Sequence, residues 1–197
     1  MELLKIEQMV LIGSTGRNSG KTTLAIGLIN KWKDKFPIIA LKITSIKDKN
    51  GKCPRGGIGC GVCTNIQGNF ELLEEKDNTN NKDTSLLLAA GSEKVYWLKC
   101  LNDHIYDGIK YFMDQIPSNT IIVCESNSLR NVVIPGSFIM LKNMKNNEIK
   151  ESASKVINKA DIIVENDFKN SINEIIKNLD IKITEPDLSI KIVQLKK

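Results

Sequence analysis

The amino-acid sequence predicts a three-layer α/β fold with a mainly parallel sheet. Short, nearly continuous apolar runs recur along the chain, as strands covered on both faces require. Amphipathic segments of helical length alternate with them, the pattern of strands joined by helical crossovers. The first apolar run, Met9-Val10-Leu11-Ile12, passes through Gly13-Ser14-Thr15-Gly16-Arg17-Asn18-Ser19-Gly20-Lys21-Thr22-Thr23 straight into an amphipathic stretch at 24–32. A chain of 197 residues, 41% of them hydrophobic, suffices for one ordinary core, so 1–197 is read as a single domain.

The strand–turn–helix with Gly20-Lys21-Thr22 has the form of a phosphate-binding P-loop, which places the fold among the P-loop NTPases. A glycine-bearing turn lets backbone N–H groups face a polyphosphate, and the helix start adds unpaired donors and the positive end of its dipole. Lys21 is expected to reach the outer phosphates and Thr22 to ligate Mg²⁺. The expected nucleotide-binding residues are Gly16, Arg17, Asn18, Ser19, Gly20, Lys21, Thr22 and Thr23; Arg17 and Asn18 either touch phosphate or face solvent. The usual pattern has a glycine where Thr15 stands, with glycines here at Gly13 and Gly16 instead.

After Pro37, Ile38-Ile39-Ala40-Leu41-Lys42-Ile43-Thr44 reads as a second strand. Residues 45–81, rich in Gly, Asn, Lys and Asp, read as a long irregular insertion, a length that is usually functional or mobile. Residues 83–90 form a short helix closed by Gly91. Strands follow at 95–98, 121–124, 138–141 and 161–164, with helices at 101–113, 148–159 and 171–179. The tail, 181–184 and 190–193, alternates like a final strand or a hairpin around Pro186.

Ligands of such sheets sit beyond the carboxyl ends of the strands. Glu125, ending an apolar run, is expected to order the attacking water or the Mg²⁺. Asp83 is a second candidate for that work, and Asp83 and Thr84 are equally natural helix caps. Thr44 and Asp48 follow strand two. Asn166 could contact the base with Asp167 as a guanine reader, or the pair could form a plain turn.

Cys53, Cys60 and Cys63 lie in a glycine-rich segment, the last two at Cys-x-x-Cys spacing. Close thiolates suit Zn²⁺ or an iron–sulfur cluster. A fourth ligand would come from Cys100, His104, Cys124 or another protomer; Cys124 sits in an apolar run and reads as a packed residue. The other reading is a redox-active or unoccupied loop. A metal completed across a two-fold axis would make a homodimer.

The net charge of +5, with 5% aromatic residues and no block of like charges, argues against a nucleic-acid partner. No run reaches the length of a membrane span. The opening Met-Glu-Leu-Leu-Lys-Ile-Glu-Gln lacks the features of a signal peptide, so a cytoplasmic protein with reduced cysteines is expected.

The loop, the Leu41-Lys42-Ile43-Thr44 strand end, Lys82-Asp83-Thr84-Ser85 with Ala90-Gly91, and Val123-Cys124-Glu125 followed by Asn127 resemble the molybdopterin-guanine dinucleotide biosynthesis protein B family. The resemblance covers roughly the first two-thirds of the chain. It implies a GTP-binding protein that assists nucleotide attachment to the molybdenum cofactor. Glu125 is followed here by Ser126 rather than glycine, and the family's histidines after strand two are missing. Three readings result. The first is a slow, Mg²⁺-dependent GTP- or ATP-hydrolysing accessory of metallocofactor assembly, whose partner would be a cofactor-biosynthesis enzyme or metalloenzyme client. The others are a small-molecule kinase or ligase, and a metal carrier or sensor with a nucleotide switch.

Overall fold

A computed structural model describes residues 2–47, 66–146, 148–169, 172–184 and 188–195. Asp48 and the cysteines Cys53, Cys60 and Cys63 lie outside the described residues.

The chain runs β1 (Leu4–Ser14), α1 (Lys21–Trp32), β2 (Ile38–Ile46), β3 (Phe70–Glu75), α2 (Asp83–Ala89), β4 (Lys94–Leu101), α3 (Ile105–Met113), β5 (Ile121–Glu125), β6 (Val133–Asn143), α4 (Glu151–Ser154), β7 (Ile162–Asn166), α5 (Ile172–Lys177), β8 (Leu179–Thr184) and β9 (Ser189–Gln194). Among the described residues, seven strands form one sheet in the order β3-β4-β2-β5-β1-β6-β7. All neighbours are parallel except β3, which runs antiparallel to β4. The expected mainly parallel three-layer α/β architecture is the one observed.

The two-residue period of the strands builds two cores. Val10, Ile12, Ala40, Val123, Ile139 and Leu141 point to the face covered by α1, α2, α5 and the β8–β9 hairpin. Their sequence neighbours Met9, Leu11, Leu41, Cys124, Phe138 and Met140 point to the face covered by α3. Both sides of the central strands are therefore dry, which explains why they read as unbroken apolar runs. Helix α1 buries Leu24, Ala25, Leu28, Ile29 and Trp32, a stripe at helical spacing that holds it against the first face.

Three segments depart from expectation. The stretch read as irregular contains β3, an edge strand with three glutamates among its six residues. Its Phe70 and Leu72 pack on the α3-side core while Glu71 pairs with Lys99 at 2.6 Å. Charge on an exposed edge hides a strand from a reading based on apolar content. The helix expected at 148–159 is reduced to α4 and a 3-10 turn at Ile157–Lys159. Its ends are tied down: Lys150 N–H donates to Thr15 O at 3.0 Å, and Asp161 N–H to Phe138 O at 2.9 Å. Chain leading into β7 beside β6 is thus anchored at both ends, and a continuous helix is lost to tertiary bonds. The helix expected from 101 begins at α3, preceded by a 3-10 turn at Asn102–His104.

Of the two forms expected for the tail, the hairpin is the one observed, antiparallel β8–β9 with Ile181 opposite Ile192. It docks on β6 through Ile192 N–H donating to Ser137 Oγ at 2.8 Å. Among the described residues no helix is long and apolar enough to cross a membrane.

Candidate functional site: a phosphate cradle at the strand ends

The topology sets β1 between β5 and β6, so the loop leaving β1 opens beside the ends of both. Gly13 lies where a Cβ would stand 2.7 Å from Asn127 Oδ1 and 2.9 Å from the Phe138 ring, a space no larger residue fits. Asn127 clamps the loop entrance by accepting from Ser14 N–H at 2.8 Å and donating to Ser14 O at 2.9 Å. Left-handed backbone falls at Asn18 (φ 50) and Gly20 (φ 91), the latter immediately before α1. Alternation of this kind turns successive N–H groups toward one concavity.

Thr15 takes the place of the usual glycine without strain, because its φ is not positive. Its side chain is turned inward and only 1% exposed. Thr15 N–H donates to Leu141 O at 2.9 Å, and its Oγ1 accepts from Asn143 N–H at 3.0 Å. The departure from the common motif therefore ties the loop to β6. Downstream, Asn166 at the end of β7 donates from Nδ2 to Ser19 O at 3.1 Å, and its Oδ1 accepts from Phe168 N–H at 3.0 Å. Both polar atoms of Asn166 thus brace protein backbone. Asp167 accepts from Lys169 N–H through Oδ1 at 2.9 Å, a turn geometry.

Lys21 leads α1 and folds back so that its Nζ donates to Ser14 Oγ at 2.9 Å, while Ser14 Oγ donates to Gly16 O at 2.8 Å. Its ammonium is thereby held across the mouth of the loop. Burial lowers the Lys21 pKa, and the nearby Glu125 carboxylate offsets part of that shift. Thr22 Oγ1 donates to Glu125 Oε2 at 3.2 Å. Glu125 ends β5 and is 4% exposed; its Oε1 is buried without a hydrogen-bond partner among the described residues. Burial raises its pKa, opposed by Lys42, Lys21 and the Thr22 hydroxyl. An orphaned carboxylate oxygen beside a threonine hydroxyl is a donor set suited to Mg²⁺, a hard cation that prefers oxygen.

Lys42, near the end of β2, faces the loop across the cleft and is ion-paired with Asp83, the first residue of α2. The N-cap of that helix is Lys82, with no side-chain capping bond, so the capping role considered for Asp83 and Thr84 is not realised. Thr84 instead donates to Glu75 at 2.6 Å, pinning α2 to the end of β3. Thr44 Oγ1 accepts from Trp97 Nε1 at 2.9 Å. These groups enclose a cavity of about 1260 Å³ that runs from Lys42, Thr44 and Asp83 past the loop to Asn166 and Phe168. Arg17, Asn18 and Thr23 are exposed along its wall.

The structure thus gathers Gly16–Thr23, Glu125, Asp83 and Asn166 at one end of the sheet. Asn127, Ser14 and Lys42 join them, and spacing alone assigns none of these three a role. Their positions depend on which strands become neighbours, information absent from local pattern. The alternative fourth metal ligands are dispersed. Cys100 and Cys124 are both fully buried. Burial pushes the Cys100 thiol up to about 12 and holds Cys124 well above its ordinary value. Cys124 is the packed residue its apolar run suggested. His104 Nδ1 lies 3.0 Å from Asp107 Oδ2 on the surface. Among the described residues no group of three His, Cys, Asp or Glu converges as a metal site.

Sheet order and loop together define a P-loop NTPase fold. Among solved structures the chain is similar to LpxK from Aquifex aeolicus, crystallised in complex with ATP. The TM-score is 0.52 at 15% sequence identity, covering 85% of this chain and 50% of that one. This chain therefore spans about half the length of that protein. No protein-family model matches the sequence, and no curated protein does.

Proposed function

We propose that the protein binds the Mg²⁺ complex of ATP or GTP in this cleft and hydrolyses it slowly. The observation that carries the reading is the convergence of Lys21, Thr22 and the orphaned Glu125 oxygen on the mouth of a backbone-amide loop. Loop amides and the start of α1 would cradle the phosphates, and Lys21 would exchange Ser14 for an outer phosphate oxygen. Thr22 and Glu125 are the residues that would hold Mg²⁺, directly or through water. The ion would supply charge neutralisation on the phosphate oxygens. Glu125 would also orient the attacking water, and Asp83 would position Lys42 opposite the loop. Catalysis of this kind is positioning and electrostatics, with no covalent step for the protein. Calorimetric titration with Mg²⁺-ATP and Mg²⁺-GTP, followed by phosphate-release assays, tests it; heat absent with both nucleotides refutes it.

A second reading, transfer of the phosphoryl group to a small acceptor, is favoured by the size of the cavity and its hydroxyl-rich wall of Thr44, Ser45, Ser128 and Ser152. It expects phosphate to appear on an added metabolite at a rate far above basal hydrolysis. The role in molybdenum-cofactor or other metallocofactor assembly rests on the sequence resemblance and on Cys53, Cys60 and Cys63. Its check is metal analysis of anaerobically purified protein beside a triple Cys→Ser variant; equal metal content in the two removes the cysteine site.

A further inference from the structure

We propose that Phe168 is the platform on which the nucleobase of the bound nucleotide stacks. The inference rests on the nucleotide reading above and adds where the base lies.

Phe168 follows β7 by two residues and sits with φ 60, in the left-handed region that a bulky side chain rarely adopts. The conformation is enforced by the Asn166 amide, which accepts from Phe168 N–H at 3.0 Å while holding Ser19 O at 3.1 Å. The same side chain that braces the phosphate loop therefore sets the position of the ring. That ring is not buried in the core: Phe168 is 37% exposed. It lines the cavity and is the one aromatic residue among the described residues that do so, with Ile172 beside it. Lys145 Nζ stands 4.8 Å from the ring centroid, holding an otherwise solvent-facing phenyl in place by a cation–π contact.

Position agrees with this role. A Cβ on Gly20 would stand 3.0 Å from Asn166 Nδ2 and 3.5 Å from Ile172, so the segment carrying the ring abuts the start of α1. A triphosphate seated in the loop then has two ways to extend. Toward Lys42, Asp83 and Glu125 the wall is charged; toward Phe168 and Ile172 it carries no charged side chain of its own, an aromatic ring and an aliphatic chain flanked by Asn166 and Asn173. A flat aromatic base belongs against the second. Stacking accepts any base because every base presents a π-face, so this platform supplies affinity without choosing strongly between ATP and GTP.

Calorimetry with Mg²⁺-ATP, Mg²⁺-GTP and Mg²⁺-tripolyphosphate on the wild type, Phe168→Ala, Phe168→Leu and Phe168→Trp tests it. Loss of one stacked base is expected to weaken both nucleotides by about tenfold in the Ala variant. Leu should recover little of this and Trp nearly all, while tripolyphosphate binds all four proteins alike. In the Phe168→Trp variant, nucleotide but not tripolyphosphate is expected to quench the fluorescence of the added indole. Undiminished ATP and GTP affinity in Phe168→Ala overturns the platform and leaves the nucleotide site standing. Equal weakening of tripolyphosphate and nucleotide overturns it too, since that marks damage to the loop. A wild type that binds none of the three refutes the nucleotide reading and the platform with it.

Discussion

At one end of the cleft Glu125 is 4% exposed, with Thr22 on one oxygen and nothing on the other among the described residues, and Lys21 is tethered across the loop. At the other end Phe168 is 37% exposed, supported by one amide and one surface ammonium. The first region holds charge in a low-dielectric setting, where each electrostatic contact is strong and each unmet one costly. The second offers apolar area and shape, which tolerate change. The contrast separates chemistry from recognition: the groups that would act on phosphate are buried and charged, while the ring that would meet the rest of the ligand is fixed by its backbone bond yet left partly exposed.

The largest expected effect breaks the buried end. Lys21→Ala removes the cation at the loop mouth and should cost about 3 kcal/mol of Mg²⁺-nucleotide binding, roughly a hundredfold in Kd. Calorimetry decides it, and unchanged affinity would remove Lys21 from the site.

Glu125→Gln is next. Phosphate release should fall by roughly a hundredfold with nucleotide affinity changed only a few-fold, as for loss of a group that acts mainly in the transition state. The same variant carries a stability signature. Burial raises the Glu125 pKa above its ordinary 4.5, so its favourable contribution is complete below that value and is lost as pH rises through the raised one. Replacing it should therefore raise the thermal midpoint at pH 8 by roughly 2–4 °C, about 1 kcal/mol, with the two proteins converging toward pH 4. A wild type and variant that track one another across that range would show the carboxylate titrating normally.

Asn166→Ala strikes the joint between the two ends. Losing its bonds to Ser19 O and Phe168 N–H should destabilise the fold by about 2 kcal/mol and weaken ATP and GTP to the same degree. A loss confined to GTP would make Asn166 a base reader, the role first considered for it. Smallest of all, Asp83→Asn breaks an ion pair whose carboxylate side chain is 46% exposed. A shift in stability below about 1 kcal/mol is expected by chemical denaturation; a larger one would mean that the Lys42 pair organises the cleft wall.

Much of this was legible in the chain. The apolar runs announced the central strands, and Gly20-Lys21-Thr22 between strand and helix announced the loop, because both depend on local periodicity and local backbone needs. Glu125 became a candidate by the rule that ligands gather at strand ends, and the structure places it beside Thr22. Residues 148–159 misled because their helical pattern yields to hydrogen bonds with Thr15 and Phe138, and β3 hid because an edge strand tolerates glutamates. Phe168 gave no signal at all: one aromatic residue in a turn looks like any other until its backbone and neighbours are known.

Taken alone, the sequence determined the alternation of strands and helices, the glycine-bearing loop and the place of Lys21 and Thr22 at the start of the helix that follows it. Tertiary structure decided which strands are neighbours, and thereby brought Asn127 to Ser14, Glu125 to Thr22 and Lys42 to Asp83. The physical reason is range. Backbone preference and side-chain periodicity act over a few residues, whereas partners separated by dozens of positions or more meet only after both faces of the sheet have been buried.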